Sequence, residues 1–160
     1  MANTYSQVNI QCVFAVKGRA NLITPDIRDR IHAYLSATLK NQGAFPLSVG
    51  GWLDHVHVFF ELPMTTSISD LMRDLKAHSS KWINEEDLIK GRFNWQEGYG
   101  AFSYSHSQRD RVIRYITGQE QHHRKQTFQA EYMQFLERFK VPHDKRYVFD
   151  FIEGPLLTAS

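Results

Sequence analysis

The chain has 160 residues, 42% of them apolar and 13% aromatic, with a formal net charge of +2. That length suits one domain with a real core, the composition excludes a disordered chain, and the near-balanced charge does not indicate a general polyanion binder. A lone cysteine, Cys12, excludes an intrachain disulfide and fits a reducing cytoplasm. No apolar run approaches the roughly 20 residues of a membrane span, and no charged-then-apolar leader is expected from Met1-Ala2-Asn3-Thr4-Tyr5.

Residues 5–16 alternate Tyr5, Val8, Ile10, Cys12, Phe14 and Val16 and predict a strand, with Cys12 as a small core residue. Thr24-Pro25-Asp26 opens a helix, Thr24 as N-cap and Pro25 in the first turn. Its apolar face is Ile27, Ile31, Tyr34, Leu35 and Leu39, and Asn41-Gln42-Gly43 stops it. A short strand at 45–49, a turn at Gly50-Gly51 and a strand at 52–62 follow, the last ended by Pro63. Ser67 or Ser69 caps a second helix whose face carries Leu71, Met72, Leu75, His78, Ser79, Trp82 and Ile83. Residues 93–105 read as a strand segment interrupted by Gly98 and Gly100. Ser107 caps a third helix over about 108–123, a fourth covers about 128–139, and 141–160 form a less regular tail.

Strand, helix, strand, strand, helix, strand and then further helices is the split βαβ plan: an α+β fold whose antiparallel sheet carries two helices on one face. There is no repeat, low-complexity tract or linker, so residues 1–160 are expected to form a single domain, with a core over about 5–139.

Two stretches carry chemistry. In Asp54-His55-Val56-His57-Val58-Phe59-Phe60-Glu61, residues i and i+2 share a strand face, so His55 and His57 point one way and Val56 and Val58 the other, toward the core. Two neighbouring imidazoles are spaced to share a divalent ion, with Asp54 and Glu61 as outer partners or weak ligands. A bare His-x-His is also an ordinary polar strand face, but buried imidazoles in so apolar a strand need partners. In Arg114-Tyr115-Ile116-Thr117-Gly118-Gln119, four residues advance about 6 Å along a helix and return to nearly the same face. Tyr115 and Gln119 are therefore neighbours, with His122 and His123 one turn on. A free phenol, with pKa about 10, is a poor nucleophile; a metal or nearby cations favour the phenolate and neutralise a phosphate under attack. Packing is the commoner role of a lone tyrosine, and on spacing alone Gln119, His122 and His123 all stand as a third ligand. Five cations (Arg109, Arg111, Arg114, Arg124, Lys125) face two carboxylates between His106 and Lys125, which is either a phosphate-attracting patch or a solvated helix face.

With these motifs in hand, the chain resembles the single-tyrosine HUH transposases of bacterial insertion sequences, including domesticated relatives associated with repeated extragenic palindromes. The resemblance lies in Asp54-His55-Val56-His57, Leu75-Lys76-Ala77-His78-Ser79-Ser80-Lys81-Trp82, Trp95-Gln96-Glu97-Gly98-Tyr99-Gly100-Ala101-Phe102-Ser103, and Tyr115-Ile116-Thr117-Gly118-Gln119 with His122-His123. It covers roughly residues 5–139 in the family's order. It implies a ferredoxin-like core with C-terminal helices carrying a catalytic Tyr115, and a metal-dependent single-stranded DNA endonuclease and strand transferase. His55, His57 and Gln119 would hold Mg²⁺ or Mn²⁺, and Tyr115 would form a 5′-phosphotyrosine. It also implies hairpin DNA as a partner and a homodimer in which one subunit's tyrosine helix can complete the other's histidine site. Lys76, Lys81, Arg109, Arg111 and Arg114 are candidates for phosphate contacts, and Trp52, Trp82, Trp95 and Tyr99 for base stacking. A cytoplasmic protein, nucleoid-associated when on DNA, is expected.

Three other readings stand beside this one. A non-catalytic nucleic-acid binder of ferredoxin-like fold has no need of Tyr115. A zinc hydrolase would use His55, His57 and His122 or His123. A purely structural metal staple is something a core of this size hardly requires.

Overall fold

A computed structural model describes residues 4–119 and 126–143. Strand β1 (Asn9–Ala15) leads to helix α1 (Pro25–Asn41), strands β2 (Phe45–Gly51) and β3 (His55–Glu61), helix α2 (Ile68–Glu85), strand β4 (Gly100–Tyr104), and helices α3 (Arg109–Thr117) and α4 (Phe128–Arg138). The sheet order is β2-β3-β1-β4 with every neighbouring pair antiparallel. This is the split βαβ plan, with β3 inserted between the two strands that α1 connects. The tail beyond His143, together with His122, His123, Arg124 and Lys125, lies outside the described residues.

Strand alternation divides the interior in two. Ile10, Cys12, Phe14 and Val16 from the β1 segment, and Val56, Val58 and Phe60 from β3, face α1 and α2 in the main core. The opposite set (Val13 and Ala15 on β1, Phe59 on β3, Phe102 on β4) faces α3 and α4 in two smaller clusters. The two helices expected on one face are there, and α3 and α4 cover the other. α1 begins at Pro25 as expected, although the Thr24 hydroxyl donates to Asp26 rather than capping the backbone. Ser67 caps α2 by accepting from the Asp70 N–H at 3.1 Å, and Thr127 caps α4 by accepting from Ala130 at 3.1 Å.

Three local departures have physical causes. Gly50 and Gly51 belong to β2 rather than to a turn. A Cβ on Gly51 would sit 2.3 Å from the His55 carbonyl oxygen, so only glycine permits so tight an approach to β3, which starts at His55. Pairing of the fourth strand begins at Gly100, because Gly98 turns the chain with φ +84°; upstream only Trp95 bridges to Val16. The third helix starts with a 3-10 turn at 106–108, capped by Ser105 and Gln108 in place of Ser107. Pro46 is tolerated because β2 is an edge strand with a bulge between Pro46 and Ser48.

Candidate metal and tyrosine centre

β3 places His55 and His57 on the α3/α4 side of the sheet, and both rings are completely buried. Each ring is held from behind. His55 Nδ1 lies 2.8 Å from Asp54 Oδ1, and His57 Nδ1 lies 2.7 Å from Gln11 Oε1. Gln11 comes from β1 and in turn donates its amide to the Tyr104 hydroxyl at 2.8 Å. An acceptor at Nδ1 holds a proton on that nitrogen and aims Nε2 forward, where it can ligate a metal once its own proton is released.

α3 supplies the other wall. Gly50 of β2 lets it come close: a Cβ there would lie 2.6 Å from the Ile116 carbonyl oxygen. Val112 and Ile116 anchor the helix on Phe59. The Tyr115 ring then sits 5.8 Å from His57, edge-on at 82°. Gln119 follows the helix and is also buried; its Oε1 lies 3.1 Å from His55 Nε2. One chain thus brings His55, His57, Tyr115 and Gln119 together in cis.

A fifth member was not anticipated. Glu131 of α4 is 1% exposed. Its Oε1 lies 3.4 Å from both His55 Nε2 and His57 Nε2, and its Oε2 accepts from the Tyr115 hydroxyl and, at 3.2 Å, from Gln119 Nε2. Around it Phe128 stacks on His55 at 4.0 Å, and Phe135 packs against His57 and Tyr115. A signal was present: Phe128, Glu131, Phe135 follow helical spacing, so a carboxylate stands on an apolar stripe. Gln11 gave no such signal, because its tie to His57 depends on strand register.

The donor set fits a small divalent cation. The ligand atoms of His55, His57 and Glu131 all lie within 4.8 Å of one another. The Gln119–His55 spacing of 3.1 Å suits adjacent corners around an ion with bonds of about 2.1 Å. Imidazole nitrogen with amide and carboxylate oxygen is a set that Mg²⁺ or Mn²⁺ accepts. Burial by itself favours neutral His55, but its hydrogen bonds to Asp54 and Glu131 outweigh that and raise its pKa to about 9. Burial first, and then the Glu131 charge, push the Tyr115 phenol well above its ordinary range, so it is held protonated.

The other predicted residues separate from this centre. Glu61 pairs with Arg109 at 2.9 Å. Arg111 and Arg114 are exposed on α3. Lys76 and Lys81 ride on α2, across the sheet from the histidines. Lys76 Nζ donates to the Gln96 and Gly98 carbonyls at 2.6 and 2.8 Å, fixing the loop before β4 rather than standing free for phosphate. Trp95 is buried and donates to Ser79 Oγ at 2.9 Å; Trp82 stacks on Tyr34, and Trp52 lies under Arg28. Tyr99 borders an open groove of about 890 Å³ that reaches the centre's edge at Phe128.

Residues 4–119 match the sequence family described as "Transposase IS200 like". No curated protein matched the chain. Among solved structures, a protein of Deinococcus radiodurans R1 described as a transposase aligns with TM-score 0.60 and 18% identity, over 74% of this chain and 95% of that one. A REP-associated tyrosine transposase bound to a REP hairpin aligns with TM-score 0.57 and 12% identity, over 77% and 73%. At those identities the likeness establishes a shared fold.

Proposed function

Because the chain belongs to the IS200-like transposase family, we propose that it cleaves and rejoins single-stranded DNA with Tyr115 as nucleophile, beside a Mg²⁺ or Mn²⁺ site made by His55, His57 and Gln119. The observation that carries this reading is the convergence of two back-braced imidazoles, an amide oxygen and a phenol in one buried centre. The bound ion would polarise the phosphoryl oxygens and offset charge on the phosphate under attack. Asp54 and Gln11 hold the two rings in register. Gln119 ties the end of the tyrosine helix to His55.

In the covalent step the Tyr115 oxygen bonds to phosphorus as the bond from phosphorus to the 3′-oxygen breaks. The phenol gives up its proton and the departing oxygen takes one up, leaving a 5′-phosphotyrosine and a 3′-hydroxyl. Attack by another strand's 3′-hydroxyl reverses this chemistry. The ester bond is conserved throughout, so no nucleotide cofactor is consumed.

Hairpin DNA is the proposed partner, supported by the hairpin-bound relative. Arg111 and Arg114, exposed on the helix that carries Tyr115, are the proposed phosphate contacts nearest the chemistry, with Arg109, Lys76 and Lys81 more committed or more remote. A homodimer of such chains in the cytoplasm completes the proposal. No helix among the described residues is long and apolar enough to cross a membrane.

The test is covalent capture. Purified protein incubated with end-labelled single strands from the gene's flanks and Mg²⁺ or Mn²⁺ is expected to give a denaturant-resistant adduct. Tyr115→Phe and a chelator should each abolish it, with Tyr115→Phe leaving the fold intact. An adduct that survives Tyr115→Phe overturns the nucleophile assignment.

A further inference from the structure

Given the metal and tyrosine centre proposed above, on which this reading rests, we infer that Tyr104 is a positioning residue of that centre. Its hydroxyl holds the Gln11 amide against His57, so the last residue of β4 sets how one metal ligand is presented. An imidazole that gives Nε2 to an ion keeps its one proton on Nδ1. At His57 that proton needs an acceptor, and Gln11 Oε1 lies 2.7 Å away. With its oxygen committed there, the Gln11 amide turns its nitrogen the other way, and Nε2 donates to the Tyr104 hydroxyl oxygen at 2.8 Å. The two bonds run in one direction, each polarising the next. Gln11 is 1% exposed and His57 0%. Without the hydroxyl, the Gln11 N–H loses its acceptor inside the protein, and the side chain is free to turn away from the ring.

The placement follows from register. Gln11 stands opposite Phe59 of β3 and Phe102 of β4. Tyr104 is two residues beyond Phe102 and shares its face of the sheet. Edge-on contacts with Phe59 and Phe139, at 5.9 and 5.4 Å between ring centroids, hold the phenol ring there. Ser105 follows at once and caps the turn that leads into α3. One residue therefore joins the brace of His57 to the start of the helix that carries Tyr115. His55 is braced separately, by the adjacent Asp54 at 2.8 Å, and supplies an internal control.

The test uses the full chain. Mn²⁺ affinity is read by electron paramagnetic resonance, and the two Nδ1–H signals by NMR of ¹⁵N-histidine-labelled protein loaded with Mg²⁺. Tyr104→Phe removes one oxygen and keeps the ring contacts. It should weaken Mn²⁺ binding about 3- to 10-fold, less than the loss of Gln11 itself. The His57 Nδ1–H signal should be lost to exchange with water, while that of His55 stays. Added to Gln11→Leu, Tyr104→Phe should change Mn²⁺ affinity less than about twofold, because the two act in series. Unchanged Mn²⁺ affinity in Tyr104→Phe overturns the positioning role. Equal loss of both histidine signals also overturns it and makes Tyr104 a packing residue, as does a full additional loss of affinity in the double variant. Failure of the wild type to bind Mn²⁺ overturns the metal centre itself, and this inference with it.

Discussion

Gln11 is the residue whose removal best separates positioning from ligation. Its side chain bridges the Tyr104 hydroxyl and His57 Nδ1, and it is not among the residues that would hold the ion. Gln11→Leu keeps the volume and deletes the acceptor, freeing the ring to turn or to change tautomer. Metal affinity is expected to fall about 10- to 100-fold, measured by titration calorimetry, with the strand pairing intact by circular dichroism. His57→Ala should lose metal-dependent adduct formation entirely, and full adduct formation in that variant would sink the histidine site. The difference between these two residues is also the difference in what the sequence discloses. His55 and His57 declare a shared face through strand periodicity alone. Gln11 matters only because β1 pairs antiparallel beside β3 in one register, a fact of sheet topology that no local pattern contains.

At the scale of elements, the position of α3 depends on a missing side chain. Gly50→Ala would place a methyl 2.6 Å from the Ile116 carbonyl oxygen, which is backbone and cannot swing aside. The helix must shift, carrying Tyr115 and Gln119 away from the histidines. A stability cost of about 1–3 kcal/mol is expected, together with adduct formation falling further than the loss of folded protein explains. Denaturant melts and adduct yield per folded molecule check this. The order of strands and helices was legible because each has its own periodicity and caps. A turn is expected at Gly50-Gly51 and strand is found, because glycine pairs mark turns and close approaches alike. Helix α4 was legible as a helix, but its contribution of Glu131 to the centre was not: the resemblance that points to the tyrosine helix says nothing of Glu131.

At the scale of the whole molecule, acid stability should carry a signature of His32 on α1. Burial, then repulsion from Arg28 on the same helix, lower its pKa to about 4; Asp29 opposes this, while His55 and His57 on β3 add to it. Its folded pKa therefore lies below the unfolded value of about 6.5. Between these values the unfolded chain binds more protons, so this contribution is complete above about pH 6.5 and is lost as pH falls toward 4. His32→Gln should flatten the pH dependence of the melting temperature in that window, by an amount corresponding to no more than about 3 kcal/mol. An unchanged difference between wild type and variant from pH 7 to pH 4 would refute the assignment.

The sheet stands as a partition between two interiors with separate duties. On one side, Ile10, Cys12, Phe14, Val56, Val58 and Phe60 meet α1 and α2; on the other, the histidines meet α3 and α4. Mutations that reshape the second compartment act on a chamber whose wall is braced from behind. The second compartment can therefore change shape without renegotiating the packing that keeps the protein folded, and β1 and β3 are elements where both demands fall on the same short run of residues.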